Sequence, residues 1–487
     1  MLEPGAMQGP EPSAVPMPEP EPSAVPMPGP LPEPGAVPVQ GLMLEPGAVP
    51  VQRPMPGPGP GPGPGPEQPE TDSGRLGGEI PASEILPAQR SEAGVGPLSR
   101  KPRAWETEAW SPHRVLRPQD RISLATWAAT RLGMVVLAWM AAWVFEAAPA
   151  VPGPWLARWD RWDEGIFLSI AQHWYFAPGT DPRHVAFFPG FPVAVWVMHL
   201  VVWNWVAAGL AVSAVAGAVA MVALGRLAAR EVAAPESPEA RQAAANATLF
   251  FALAPAAVFL AAGYSESLFA AFAFSAWAAA RRDRWALAVV LAAGASTVRV
   301  NGLFLAAAIV VEFLLAGPTR RRWRQAPLLL VPAVPVAAYV LYLHRDTGDW
   351  MAWQHAQAAG WFRTFQSPKA AWDQTWRAAF GATQAGHTAW VFQLELVAVV
   401  VGLALTALLL FKRRWPEALY VALSLLALGT TTWFMSVPRA MLLWWPLWTM
   451  LGAWAVKHPM VRTLYVCCVA PVMAGVALLF LSGQWAG

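Results

Sequence analysis

Beyond residue 121 the chain is a succession of apolar blocks, each close to the ~20 residues that an α-helix needs to cross a bilayer. Only 13% of the residues are charged and 55% are hydrophobic, whereas about a quarter of the residues in an ordinary soluble domain are charged. A chain of this composition has too little polar surface to cover a soluble fold. The pattern predicts an all-α polytopic membrane protein and argues against a soluble multidomain enzyme.

The apolar blocks predict about eleven transmembrane helices, within a range of about 10–12. Their expected bounds are 123–147, 206–228, 243–262, 265–280, 285–298, 302–316, 327–344, 391–411, 417–434, 440–456 and 460–482. The further block 187–205 starts with Phe-Phe-Pro-Gly-Phe-Pro and contains Asn204. This composition favours a helix at the membrane interface over a crossing.

Residues 1–120 have a different composition. Roughly half of the 49 prolines lie before residue 75, in a degenerate repeat in which the octapeptide at 11–18 recurs at 21–28 and the one at 33–40 recurs at 45–52. Proline at every second or third position removes backbone donors and prevents both helix and sheet. The sequence therefore predicts a disordered, Pro/Gly/Glu-rich tail that turns basic before the membrane domain 121–487, with a Pro-rich ligand for a partner as the alternative.

The distribution of Lys and Arg predicts the orientation of the helices. Basic residues collect before residue 123 and in the loops 226–241, 281–284, 320–324, 412–414 and 457–462. Cytoplasmic loops carry such an excess, so the expectation is a multi-pass protein of the cell membrane with a cytoplasmic N-terminus and two large outer loops, 149–205 and 345–390. The net charge of +3 provides no basic stripe for a nucleic acid.

With this orientation, most of the remaining charge falls on the outer side. The residues concerned are Asp160, Asp163, Glu164, Glu266, Arg299, Asp346, Asp349, Arg363 and Arg439. Because they come from distant parts of the sequence and share one membrane face, they predict a polar pocket beneath the outer loops. A transporter would more naturally bury ionisable residues in the middle of its helices, and the candidates for that, Arg131, Glu312 and Glu395, are expected near helix ends.

The segment 157–175 carries the sharpest chemical pattern. It places the three carboxylates of Asp160, Asp163 and Glu164 beside arginine and tryptophan. An Asp between aromatic walls can act as a general base for a hydroxyl nucleophile, and Trp rings can stack on sugars, although interfacial Trp also anchors ordinary loops. A divalent metal ion held by Asp160 and Asp163 is an open alternative. The chain has no Gly-rich nucleotide-binding loop, and no other cofactor is expected.

The string RWDEGIFLSIA at 161–171, followed by HWY at 173–175 and AFFPGFP at 186–192, resembles the PIG-V family of mannosyltransferases, in particular actinobacterial-type members. Further strings are similar to family motifs in the same order: YSESLF at 264–269, STVRVNG at 296–302, GDWMAWQHAQ at 348–357 and SVPRA at 436–440. The resemblance covers roughly residues 120–485. It implies a GT-C-type integral membrane glycosyltransferase.

The resemblance also implies a chemistry. The donor would be a polyprenyl-phosphate sugar, typically mannose, and transfer would invert the anomeric centre on the extracytoplasmic face. The acceptor, an envelope lipid, glycan or protein, is not specified. Asp163 is the expected base, with Asp160 and Glu164 as second choices, and Arg299 and Arg439 are expected to bind the departing phosphate. The other expected substrate contacts are Arg161, Trp162, Tyr175, Tyr264, Glu266, Asn301, Gln354, His355 and Gln357.

Two other classes of function remain open at this level. A lipid-linked sugar flippase or transporter would use the same membrane domain and would form no bond. A catalytically inactive membrane scaffold would present the Pro-rich tail to a partner.

Overall fold

The part of the chain that the structure describes is helical, as its apolar blocks predict. The computed structural model describes residues 116–144, 155–232 and 237–487, and no strand occurs in these ranges. The expected disordered tail, 1–120, lies outside the described residues except for its last five positions. Residues 145–154, between the first helix and the segment beginning at Trp155, and residues 233–236 also lie outside them.

The described residues form sixteen α-helices. They are α1 Pro118–Val144, α2 Asp163–His173, α3 Gly190–His199, α4 Trp205–Ala229, α5 Pro238–Ala252, α6 Ser265–Ala280, α7 Trp285–Val298, α8 Asn301–Leu315, α9 Val334–Thr347, α10 Ala352–Trp361, α11 Pro368–Phe380, α12 Gly386–Phe411, α13 Trp415–Gly429, α14 Val437–Leu442, α15 Trp445–Lys457 and α16 Pro459–Leu481. Short 3₁₀ helices occur at Trp155–Arg158, Pro182–Ala186, Ala257–Leu260 and Trp323–Ala333.

Five helical segments within the described ranges are long and apolar enough to cross a membrane. They are Pro118–Trp143, Trp205–Ala229, Trp323–Thr347, Gly386–Phe411 and Pro459–Leu481. The other expected crossings form shorter helices, among them α7, α8 and α13, which fall below the ~20 residues of a simple span. Multiple membrane helices are therefore supported, and the number eleven stays a prediction.

Three expected helices are interrupted, and proline accompanies each interruption. The block 243–262 was expected to be one helix, but α5 ends at Ala252, three residues before Pro255. The block 440–456 is divided between α14 and α15, with Pro446 in the first turn of α15. In 327–344, a 3₁₀ segment containing Pro327 and Pro332 precedes α9. For the first two blocks the expected continuous helix was wrong, because proline lacks the N–H group and clashes with the preceding turn. The block 327–344 changes from 3₁₀ to α-helix but stays within the single candidate span Trp323–Thr347.

Helix α6 determines where the polar regions lie. It is buried along most of its length and packs against α4 and α7. It begins beside Glu266 and ends just before Arg281, so these residues are about 22 Å apart at 1.5 Å of rise per residue. Helix α7 returns in the opposite direction and ends at Val298, with Arg299 as its C-cap. The N-terminal end of α6 and the C-terminal end of α7 therefore lie together, and the candidate site is there.

Candidate active site

Four charged residues from four separate helix ends meet in one ion-pair network. Arg439 donates from Nη1 to Oδ2 of Asp163 at 2.9 Å and from Nε to Oε1 of Glu266 at 2.8 Å. Arg299 donates from Nη1 to the same Glu266 oxygen at 2.7 Å and to Oγ of Ser265 at 3.1 Å. Residues that are far apart in sequence are thus joined by charge-assisted hydrogen bonds, which are stronger than neutral ones.

Asp163 is the first residue of α2 and the most accessible carboxylate of the network. Its side chain is 16% exposed, whereas that of Glu266 is fully buried. The preceding Trp162 has a positive φ of 54°, a sparsely populated conformation that tends to be kept at functional sites. Oδ1 of Asp163 accepts no hydrogen bond from the described residues, so one oxygen is held by Arg439 and the other is available to a substrate.

Arg439 is held in place by a buried carboxylate from another helix. Glu395 of α12 accepts hydrogen bonds from the backbone N–H groups of Ser436 and Val437, at 2.7 and 2.8 Å. These contacts fix the start of α14, which carries Arg439. The guanidinium carbon of Arg439 also lies 4.6 Å from the centroid of the Phe259 ring, and 5.0 Å from that of Tyr264. Although burial opposes it, the charges of Glu266 and Asp163 raise the pKa of Arg439.

A tight helical hairpin positions Arg299. The residue is the C-cap of α7, and α8 begins two residues later at Asn301. A Cβ atom on Gly302 would lie 2.4 Å from the backbone nitrogen of Ser296, so only glycine allows the two helices to approach this closely. The string STVRVNG therefore encodes a turn that directs Arg299 toward Glu266.

Glu164 and Tyr264 connect α2 to the start of α6. Glu164 is fully buried, and its Oε2 accepts a hydrogen bond from the N–H of Gly263 at 3.2 Å. Burial raises the pKa of Glu164 well above its ordinary value, against the effect of that hydrogen bond. The Tyr264 hydroxyl donates to the carbonyl of Arg161 at 2.8 Å. These contacts position the backbone around Asp163, while Oε1 of Glu164 is buried without a hydrogen-bond partner among the described residues.

Several other predicted site residues make contacts outside this network. The Tyr175 hydroxyl donates to the carbonyl of Phe187 at 2.8 Å, and Gln357 donates to the carbonyl of Ala186 at 2.9 Å. His355 pairs through Nδ1 with Oδ2 of Asp349 at 2.7 Å. The remaining predicted residues differ in accessibility: Asp160, Trp162 and Gln354 are exposed, and Arg161 and Asn301 are half-buried.

A cavity of about 560 Å³ lies beside these outer contacts. Its lining includes Tyr175, Arg183, Asp349 and His355. Aromatic walls with a few polar groups are common in small-molecule sites. The structure thus divides the predicted site residues into an ion-pair network and a separate cavity.

Arg363 was not among the predicted substrate contacts, although its charge was expected on the same side. Burial and the charges of Arg299 and Arg439 lower its pKa to about 10, while Asp163 and Glu395 oppose this. The loop that carries it is fastened by Thr432, whose Oγ1 donates to the carbonyl of Phe362 at 2.7 Å. No motif marks this loop, so the sequence predicted the side of the membrane for Arg363 and no specific role.

The described residues contain no group of three or more His, Cys, Asp or Glu side chains that could hold a metal ion. The single divalent ion that Asp160 and Asp163 could hold, an open alternative from the sequence, would have only these two ligands and stays a hypothesis.

Comparison with known proteins gives matches to one family. Residues 151–316 match the model of the family described as Mannosyltransferase (PIG-V). The GPI alpha-1,6-mannosyltransferase 2 of Rattus norvegicus is 38% identical over 172 residues, which cover 33% of this chain and 32% of the rat protein. The Homo sapiens protein of the same name is 38% identical over 157 residues, 30% of this chain and 29% of its own length.

The matched region thus spans about a third of the length of these relatives. It contains Asp163, Glu266 and Arg299, whereas Arg439 lies beyond its end and reaches the network through the fold. Residues 151–316 are thus similar to the family described as Mannosyltransferase (PIG-V), over about a third of this chain.

Proposed function

We propose that this protein is a membrane mannosyltransferase that moves a mannosyl or related hexosyl residue from a polyprenyl-phosphate donor to a hydroxyl acceptor. The observation that carries the proposal is the Asp163–Arg439–Glu266–Arg299 network, three members of which lie in the PIG-V-like region. The relatives are named GPI alpha-1,6-mannosyltransferase 2. The acceptor proposed for this chain is broader: an envelope lipid, glycan or protein.

Asp163 acts as the general base. Its free Oδ1 accepts the proton of the acceptor hydroxyl, and the resulting oxygen nucleophile attacks the anomeric carbon. The bond from that carbon to the phosphate oxygen breaks, and the electron pair leaves with the polyprenyl phosphate. Attack from the face opposite the phosphate inverts the anomeric centre, and the transition state has oxocarbenium character that nearby carboxylates stabilise.

Arg439 and Glu266 position the base. The bond from Arg439 Nη1 to Asp163 Oδ2 fixes the carboxylate so that Oδ1 faces the reacting hydroxyl. Glu266 holds both Arg439 and Arg299 through one oxygen. Arg299 was expected to bind the departing phosphate, but its ion pair with Glu266 reduces the charge that it offers to a second anion.

The cavity lined by Tyr175 and His355 is the proposed acceptor side. Its polar rim includes the Asp349–His355 pair, and Tyr175 supplies an aromatic wall. Sugars present both hydroxyl groups and apolar faces, and such a lining suits both. The proposed location of the whole site is the extracytoplasmic face, on the basis of the basic loops at the other helix ends.

The proposal is tested by offering the full-length protein in lipid nanodiscs two radiolabelled donors, polyprenyl-phosphate mannose and a nucleotide-linked mannose, with a membrane glycolipid extract as acceptor. We expect transfer from the lipid-linked donor alone, and NMR of the product should show the inverted anomer. Transfer from the nucleotide donor, or retention of configuration, would contradict the mechanism.

A flippase would move the labelled lipid between leaflets without forming a glycosidic bond, and a scaffold would do neither. Translocation without product, or inactivity with every lipid-linked sugar, would overturn the proposed enzyme.

A further inference from the structure

Two arginines next to the network have guanidinium groups without acceptors. Arg158 is 8% exposed, and its Nη1 atom is buried and has no hydrogen-bond partner in the described ranges. Nε and Nη2 of Arg161 are likewise buried and unpartnered there. A buried charged donor without an acceptor costs free energy, so the arrangement is more favourable with an anion in place.

The segment that carries both side chains is packed into the fold. Arg158 ends the 3₁₀ helix that begins at Trp155, and the next residue, Trp159, is almost fully buried and packs edge-to-face on Trp155 with ring centroids 6.1 Å apart. The guanidinium of Arg161 lies against Gly483: a Cβ atom there would be 3.9 Å from Cζ of Arg161. These are the positions of a built site rather than of free surface arginines.

The local charge is incompletely balanced. Burial and the charge of Arg158 both lower the pKa of Arg161, and Asp160 partly opposes this. Neither arginine forms an ion pair with a described carboxylate within 4 Å. Besides Asp160, the nearby carboxylate is that of Glu164, whose Oε2 accepts the N–H of Gly263. By contrast, the guanidinium groups of Arg299 and Arg439 are already occupied by Glu266 and Asp163.

The chemistry of the two guanidinium groups suits a phosphate ester. Guanidinium groups bind phosphate through parallel N–H donors. Arg161 precedes Asp163 by two residues, and its carbonyl accepts the hydroxyl hydrogen bond of Tyr264, whose ring faces Arg439. A phosphate held here would lie close to the base and on the same helix end.

We propose that Arg158 and Arg161 form a phosphate-ester site that holds the phosphate group of the lipid-linked sugar donor and of the leaving polyprenyl phosphate. The inference rests on the proposed function and reassigns the phosphate from Arg299 and Arg439 to this pair.

The test measures equilibrium binding of a radiolabelled short-chain polyprenyl phosphate to full-length protein in neutral nanodiscs. The double variant Arg158→Gln/Arg161→Gln should bind it at least ~10-fold more weakly, as expected for the loss of charge-assisted hydrogen bonds. Binding of the matching polyprenol, which lacks the phosphate, should not change. Arg377→Gln, an exposed arginine of α11, is the matched control and should bind like the wild type. Unchanged affinity of the double variant would overturn the proposal.

Two competitors distinguish the sources of phosphate. Inorganic phosphate should displace the probe weakly, because it has no prenyl chain, and phosphatidylglycerol in the nanodisc should not displace it. Displacement by equal amounts of phosphatidylglycerol would make this a general headgroup site and would overturn the donor assignment.

The same preparations separate this inference from the proposed function. Asp163→Asn should keep the affinity for polyprenyl phosphate while losing transfer. Wild-type protein that binds through the arginine pair and transfers no sugar would overturn the enzyme and leave the phosphate site. Active wild-type protein together with unchanged binding by the double variant would overturn the site alone.

Discussion

The two ends of α6 both carry clusters of Arg, Asp and Glu, but the clusters are built differently. At the far end, Arg281 pairs with Glu312 at 2.6 Å, Arg320 with Asp283 at 2.8 Å, and Arg414 with both Glu231 and Glu417 at 2.9 and 2.7 Å. Each of these arginines meets at least one carboxylate and is about a quarter exposed.

At the site end, the ion pairs are more deeply buried and some groups are left over. Arg439 is 8% exposed and bridges two carboxylates, while Arg158 and Arg161 have buried donors without acceptors. The difference indicates that the ion pairs of the far cluster join helix ends to one another, whereas the arginine donors of the site cluster are all satisfied only when a ligand is bound. Four predictions test this contrast.

The largest combined effect on stability and transfer is expected from Arg439→Gln compared with Arg281→Gln. Loss of Arg439 leaves Asp163 without its positioning contact and weakens the pairing of Glu266, and breaking a buried pair costs about 3–5 kcal/mol. We expect a lower apparent melting temperature and at least ~100-fold less transfer, since misplacement of a catalytic group by 1 Å has that order of cost. Arg281→Gln should lower stability less and leave transfer per folded molecule unchanged. Equal activity of the two variants would remove the distinction between the two ends.

The second prediction concerns the sign of a stability change. Arg158→Met should maintain or raise the apparent melting temperature of ligand-free protein, because it removes a buried unpaired donor and fills the space with an apolar chain. Arg414→Met should lower it, because Glu417 loses its partner. Both are measured by intrinsic fluorescence during heating. A marked loss of stability in Arg158→Met would mean that this arginine has a structural partner.

The third prediction uses pH. Burial raises the pKa of Glu164, so the folded state holds a proton that the unfolded state releases above its ordinary pKa. Stability should therefore fall as pH rises from about 4.5 through the folded pKa. Glu164→Gln preserves an oxygen for the N–H of Gly263 and should flatten this slope. Thermal unfolding at pH 4.5 and 7.5 measures the change of stability with pH in both proteins. An equal change in wild type and variant would mean that another group titrates.

Much of the architecture could be predicted from the sequence because an apolar run that forms a helix is recognisable from neighbouring residues alone. The runs around 206–228, 265–280 and 285–298 predict α4, α6 and α7 within a residue or two. The breaks near Pro255 and Pro446 were missed because apolar composition continues across them, although proline itself carried the signal. The number of crossings does not follow, since helices as short as α7 are compatible with both a crossing and a partial one.

Only part of the candidate site could be predicted from the sequence in this way. The motifs pointed to Asp163, Glu266, Arg299 and Arg439, but their pairing depends on the packing of distant helices. Glu395 stood out as a lone acid in an apolar helix, and nothing local indicated that it binds the backbone before Arg439. The unsatisfied donors of Arg158 and Arg161 likewise become visible only when all neighbours are in place.

The most direct test of the central claim compares Asp163→Asn with Asp283→Asn in the mannosyl transfer assay. Each variant removes one carboxylate charge beside an arginine, at the site end and at the far end of α6 respectively. We expect Asp163→Asn to lower transfer by ~10²–10⁴-fold, the usual contribution of a general base, while the protein stays folded. Asp283→Asn should retain wild-type turnover. Wild-type transfer by Asp163→Asn would contradict the account.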